Sequence, residues 1–133
     1  MRLAYTILYV QDVKACASLW SEAFGLPVSY IHEDGIYAEL ATGETTLAFA
    51  DIEFGRGHFE DARTREAFSR PPSRFEVGLE TVDVHQAHEC AVRVGFVSVV
   101  KPKQKPWGQW FAWLRDPDGI LVELSTPAVS PAE

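Results

Sequence analysis

The sequence predicts an α+β fold of two tandem βαβββ modules packed into one curved mixed sheet. Three observations carry this. The pattern strand, helix, three strands occurs twice along the chain. Asp12-Val13 recurs as Asp83-Val84, and the same offset of 71 residues carries Tyr5 onto Glu76 and Leu8 onto Leu79. The third is length. The chain has 133 residues, enough for one domain, whereas a half of about 60 residues is marginal alone. The boundaries are a single domain over 1–133, with module 1 at about 3–50, a linker or lid at 51–73, module 2 at about 74–127 and a short tail.

The elements follow in order. Residues 4–10 (AYTILYV) alternate as a strand. Asp12 is placed to cap a helix whose apolar stripe is Val13, Cys16, Ala17, Trp20 and Phe24, and Gly25 with Pro27 stops it. Strands are expected at 27–32, 35–40 and 45–50, with turns at Asp34-Gly35 and Thr42-Gly43. Residues 51–73 are polar and broken by Pro71-Pro72, with room for a short helix near 60–68. The second round has a strand at 74–81, a cap at Asp83, and a helix through Val84, Ala87, His88, Ala91 and Val94 that Gly95 stops. Strands follow at about 97–101, 108–115 and 119–125, the last two joined by the turn Asp116-Pro117-Asp118-Gly119.

Composition narrows the function. Twelve basic and 19 acidic side chains give a formal charge of −7, which repels nucleic acid and anionic lipid. The apolar runs are too short for a membrane span, and Met1-Arg2-Leu3-Ala4 runs directly into a strand without a signal-peptide pattern. No nucleic-acid or membrane partner is expected, and a cytoplasmic location is. Cys16 and Cys90 lie in helical patterns without CxxC spacing, as buried thiols of a reducing compartment do.

Alternation then sorts the strand residues by face. Each helix needs an apolar bed, which assigns Phe75, Val77 and Leu79 to the helix side and leaves Glu76 opposite; the repeat puts Tyr5 on that same face. Glu123 is a charge in the otherwise apolar strand ILVEL, and a carboxylate there needs a wet cavity, a partner or a raised pKa. Its counterpart in the first half is taken as Phe49, the strand alternating Leu47 and Phe49 against Thr46, Ala48 and Ala50.

These segments resemble the vicinal oxygen chelate superfamily, which includes glyoxalase I, extradiol dioxygenases and the fosfomycin and bleomycin resistance proteins. The resemblance spans residues 3–127. It rests on YTILYVQDV with a helix ending AFGLP, on FEVGLETVDV with a helix ending RVGF, and on KPWGQWFAWLRDPDGILVEL. It implies an open barrel of paired modules around a central U-shaped cavity, a small-molecule ligand between the modules, and a homodimer. Metal-dependent members carry ligands on the first and last strand of each module. Those positions here are Tyr5, Phe49, Glu76 and Glu123, and only Glu123 is of the usual type.

A transition-metal site draws on imidazole or thiolate, so no metal or other cofactor is expected. The alternative is a weakly held Mg²⁺, Mn²⁺ or Ca²⁺ on Glu76 and Glu123. Without a cation, the two carboxyls share a proton and become a general acid/base or a hook for an amine. The candidate catalytic residues are therefore Glu76 and Glu123, and the candidate ligand-binding residues Tyr5, Tyr9, Phe49, Trp107, Trp110 and Trp113. One alternate set of the Trp107–Trp113 aromatics must face the cavity and the other away. Lys101, Lys103 and Lys105 fall on one side of an extended loop, and His32, His58, His85 and His88 lie off the cavity strands. Three readings stay open: a ligand-binding protein, a lyase or isomerase with a carboxylate base, and a structural dimer without a ligand.

Overall fold

Two aspartates open the two long helices in the same way. The structure, a computed structural model, describes residues 1–71 and 74–128. In α1 (Val13–Phe24) the side chain of Asp12 accepts a hydrogen bond from the Ala15 amide at 3.0 Å. In α4 (Val84–Val94) the side chain of Asp83 accepts from the Gln86 amide at 3.0 Å. Donor and cap both keep the 71-residue offset. The two caps share extended backbone, as N-caps require. Gly25 ends α1 at φ 68°, a left-handed conformation in which a Cβ is strained.

The chain divides into two compact units, Met1–Pro71 and Pro72–Glu133. Unit 1 holds β1 (Tyr5–Val10), α1, β2 (Val28–Ile31), β3 (Tyr37–Leu40), β4 (Thr46–Asp51), α2 (Ile52–Arg56) and α3 (Ala62–Ala67). Unit 2 holds β5 (Glu76–Glu80), α4, β6 (Val97–Gln104), β7 (Trp110–Arg115) and β8 (Leu121–Ser125). Each unit forms its own four-stranded mixed sheet, ordered β1-β4-β3-β2 and β5-β8-β7-β6. The first strand pairs parallel with the last in both, and the other pairings are antiparallel.

In each unit the long helix covers one sheet face. In unit 1, α1 buries Val13, Cys16, Ala17, Trp20 and Ala23. Trp20 is wholly buried and meets Phe49 edge-to-face at 5.4 Å. In unit 2, α4 buries Val84 and Ala91, and the sheet supplies Ala112, Leu114, Val122 and Leu124. The turn before β8 is locked by Asp116, whose Oδ1 accepts from the amides of Asp118 (2.9 Å) and Ile120 (2.8 Å). Cys16 is buried and Cys90 half-buried.

Three expectations are corrected. The helix expected near 60–68 is α3, but the linker also holds α2, which was not expected; Asp51 and Asp61 cap the two, and Phe68 meets Tyr9 of β1 edge-on at 4.8 Å. A Cβ at Gly55 would lie 2.4 Å from the Tyr9 ring, so only glycine fits there. Next, β6 runs to Gln104, taking in Lys101, Pro102 and Lys103. It is the last strand in its sheet's order, and lysine with proline is a common edge-strand composition. Register shifts between Ser98 and Val100 and between Val100 and Lys103 break its alternation, so the three lysines do not share a side. Lys101 acts electrostatically on His88 of α4, whereas Lys105 lies 5.9 Å over the Trp113 ring. Finally, β3 begins at Tyr37, because Asp34 and Gly35 (φ 74°) are still turning. Residues 72–73 of the expected linker and 129–133 of the expected tail lie outside the described residues.

Candidate functional site

The face of the second sheet that α4 leaves open collects the chemistry. Its residues are fixed by register. Glu76 stands opposite Leu121, and Gly78 opposite Glu123, in the parallel β5–β8 pair. Glu123 is in turn opposite Trp113, and Ser125 opposite Phe111, in the antiparallel β7–β8 pair. One cross-strand row therefore reads Gly78, Glu123, Trp113, and side chains in such rows are near neighbours.

Trp113 donates from Nε1 to Glu76 Oε2 at 3.0 Å. Burial pushes the Glu123 carboxyl up to about 7, and its hydrogen bond with Glu76 and the Glu76 charge push the same way. Below about pH 7 Glu123 carries a proton and its hydroxyl donates to Glu76, which also accepts from the Trp113 indole. Beside this pair the rings of Phe111 and Trp113 lie nearly parallel, 13° apart at 5.7 Å. A proton-sharing carboxyl pair next to a flat aromatic surface can hydrogen-bond a polar group and cover an apolar ring, or exchange a proton near neutral pH.

The other expected site residues are placed as follows. Tyr5 lies on the matching open face of the first sheet and is 53% exposed. Tyr9 shares that face but is covered by Phe68 and Gly55 of its own unit. Phe49 is on the other face, wholly buried against Trp20. Ile7 matches Gly78 by the repeat, and the residue opposite Ile7 is Ala48, so Ala48 takes the position of Glu123. The second module holds four more residues before its last strand, and the wrong register moves the assignment to the opposite face. Trp110 points to the helix side, with His85 of α4 at 4.5 Å. Trp107 is exposed in the hairpin turn, its indole donating to Gln109 Oε1 at 2.8 Å and its ring 6.3 Å from Phe111. His88 pairs with Ser98 Oγ at 2.7 Å; burial, then Lys101, push its pKa down.

Among the expected residues, then, unit 2 brings together Glu76, Glu123 and Trp113. Phe111 belongs with them, and its parity with Trp113 along β7 is the signal that finds it. On the first sheet, sequence reasoning passed over Tyr30, Tyr37 and Glu39. Their alternation in short strands was legible, but β2 and β3 have no module-2 counterpart of similar chemistry to draw attention to them.

On the open face of the second sheet, β5 and β8 supply two carboxyls, Glu76 and Glu123, and no imidazole or thiolate, the donors on which transition-metal centres draw.

Comparison with known proteins accords with the fold. The family described as Glyoxalase/Bleomycin resistance protein/Dioxygenase superfamily matches residues 2–124. The chain is 27% identical over 126 residues to YraH of Bacillus subtilis (strain 168), covering 93% of this chain and 97% of that one. Among solved structures, a glyoxalase-related enzyme from Fulvimarina pelagi superposes with a TM-score of 0.82 at 21% identity, covering 100% of this chain and 93% of the other. A glyoxalase/bleomycin resistance protein/dioxygenase family enzyme from Burkholderia phytofirmans PsJN superposes at 0.77 and 18%, covering 95% and 98%. At these identities the structural likenesses speak to fold alone. No helix among the described residues is long and apolar enough to cross a membrane.

Proposed function

We propose that this chain, which belongs to the Glyoxalase/Bleomycin resistance protein/Dioxygenase superfamily, binds a small organic molecule on the open face of its second sheet, without a metal or other cofactor. The ligand presents a hydrogen-bonding polar group to Glu76 and Glu123 and a flat apolar body to Phe111 and Trp113. The observation that carries the reading is the Trp113–Glu76 hydrogen bond at 3.0 Å. It fixes the carboxyl pair beside the aromatic surface, so polar and apolar recognition are preorganised together. The acidic balance supports a cytoplasmic protein that avoids nucleic acid and membrane surfaces, and the family supports a homodimer.

A second reading is favoured by one observation, the carboxyl of Glu123 at about 7. A base near neutrality that shares its proton with Glu76 suits a lyase or isomerase removing a proton next to a carbonyl.

The test is a thermal-shift and ligand-observed NMR screen of aromatic amides, amines and hydroxy-carbonyl compounds, run on the full chain, Glu123→Gln and Trp113→Leu. Binding that both substitutions weaken supports the proposal. Binding indifferent to both sinks it. Conversion of a hydroxy-carbonyl probe, lost in Glu123→Gln, selects the enzymatic reading. Elemental analysis with Mg²⁺, Mn²⁺ and Ca²⁺ titrations tests the cofactor: stoichiometric metal lost in Glu123→Gln overturns the metal-free site.

A further inference from the structure

All four tyrosines of the chain, Tyr5, Tyr9, Tyr30 and Tyr37, fall in the first unit. Two of them flank one carboxylate, Glu39. In the β2–β3 pair Tyr30 stands directly opposite Glu39. Tyr37, two residues before Glu39 on the same face of β3, donates its hydroxyl to Glu39 Oε1 at 2.7 Å. The rings of Tyr30 and Tyr37 are 6.3 Å apart and tilted by 54°. Tyr5 is near enough for its phenol to act electrostatically on Tyr37. No residue with a positive charge is hydrogen-bonded to Glu39 among the described residues, and Oε2 accepts no hydrogen bond from them.

A half-buried carboxylate with no cationic partner is costly unless something neutralises it. One phenol hydrogen bond does part of this. Burial, then the hydrogen bond and charge of Glu39, push the Tyr37 phenol well above its ordinary value, so Tyr37 stays a donor and holds the carboxylate in place. Tyr30 is 47% exposed, so its ring is open to a ligand on this face. Aromatic faces attract a cation within about 6 Å of the ring centroid. Two centroids 6.3 Å apart leave ample common space within that reach. The formal charge of −7 adds a long-range pull on cations.

We propose that the open face of the first sheet binds an organic ammonium ion, with Glu39 as counter-charge and the rings of Tyr30 and Tyr37 as its walls. The site uses no residue of the second sheet, so it stands whether or not the function proposed above is right.

The experiment is isothermal titration of choline into the full chain, in parallel with its neutral carbon isostere 3,3-dimethylbutan-1-ol. Choline should bind saturably, and the isostere about tenfold or more weaker, because charge carries the recognition. Glu39→Gln, which keeps the shape, should remove that preference. Tyr37→Phe should weaken choline about threefold or more by releasing Glu39. Circular dichroism melts confirm that both variants fold. Glu89→Gln, at an exposed position of α4, should leave choline binding unchanged. Absence of saturable binding, equal binding of the isostere, or loss in Glu89→Gln with retention in Glu39→Gln would each overturn the proposal.

Discussion

Glu123 stands opposite Gly78 in the parallel ladder that closes the second sheet. Because Gly78 has no side chain, nothing separates the carboxyl of Glu123 from that of Glu76, two residues earlier on β5. A Cβ built at Gly78 meets no atom within 4 Å, and its φ is not in the left-handed region. Gly78→Ala should therefore fold and gain about 0.4–1 kcal/mol from reduced unfolded-state entropy. Gly78→Leu should fold too, but place a bulky group between the carboxyls. Chemical-shift titration of Glu123 would then show its pKa losing the part that Glu76 supplies while staying above 4.5, because burial, the larger cause, remains. An unchanged titration in Gly78→Leu would show that the pair does not meet across this gap.

The raised Glu123 pKa also shapes stability against pH. The folded state holds this proton up to about 7, whereas the unfolded chain releases it near 4.5. Between these values the folded protein binds more protons, so the contribution of Glu123 falls as pH rises through that window and stays low above it. Glu123→Gln removes the penalty. Its melting temperature should match the parent near pH 4 and exceed it at pH 8 by several degrees, about 4 °C per kcal/mol for a chain of this length. Parallel curves across the window would refute the assignment.

Phe49 and Ala48 give opposite expectations for adjacent residues. Phe49 fills the α1 side against Trp20, so Phe49→Leu should cost about 1–2 kcal/mol. At temperatures where the variant is folded, ligand binding on the second sheet should be unchanged. Urea unfolding with a parallel ligand titration separates the two effects.

Gly55 is held by contact, not by backbone angle. A methyl group there collides with the Tyr9 ring, itself pinned by Phe68. Gly55→Ala should destabilise unit 1 by about 1–3 kcal/mol. Tyr9→Leu in the same chain should recover part of that loss, because the two sites share a contact. Additive losses in the double variant would mean that the ring is not the obstacle.

What the sequence disclosed follows the range of the forces involved. α1 and α4 were legible because cap, stripe and stop are all local, and both aspartates act as their spacing implies. The turn at Asp116–Gly119 was legible for the same reason. α2 was not: five residues with a glycine inside have poor helix propensity, and its supports include distant ones, Tyr9 of β1 against Gly55 and Arg65 and Ser69 bonded to Arg56. Glu123 stood out because a charge interrupts the apolar run ILVEL, and Glu76 because the helix needs Phe75, Val77 and Leu79 on its own side of the strand. Phe49 was misplaced because register is a pairing between distant strands, and one step of slip exchanges the faces. Tyr37 and Glu39 were overlooked because an ordinary alternating strand gives no sign that its two polar members bond each other.

The parallel closure of each sheet has a kinetic meaning. Tyr5 cannot find its place until Thr46 has been reached, nor Glu76 until Leu121 has. Each module is therefore a loop whose two ends meet last, and such long-range closure is slow compared with hairpin zipping. During synthesis the first module acquires its closing strand while the second is still being made. The antiparallel strands between are templates that wait, with one margin bare, for the strand that was translated first.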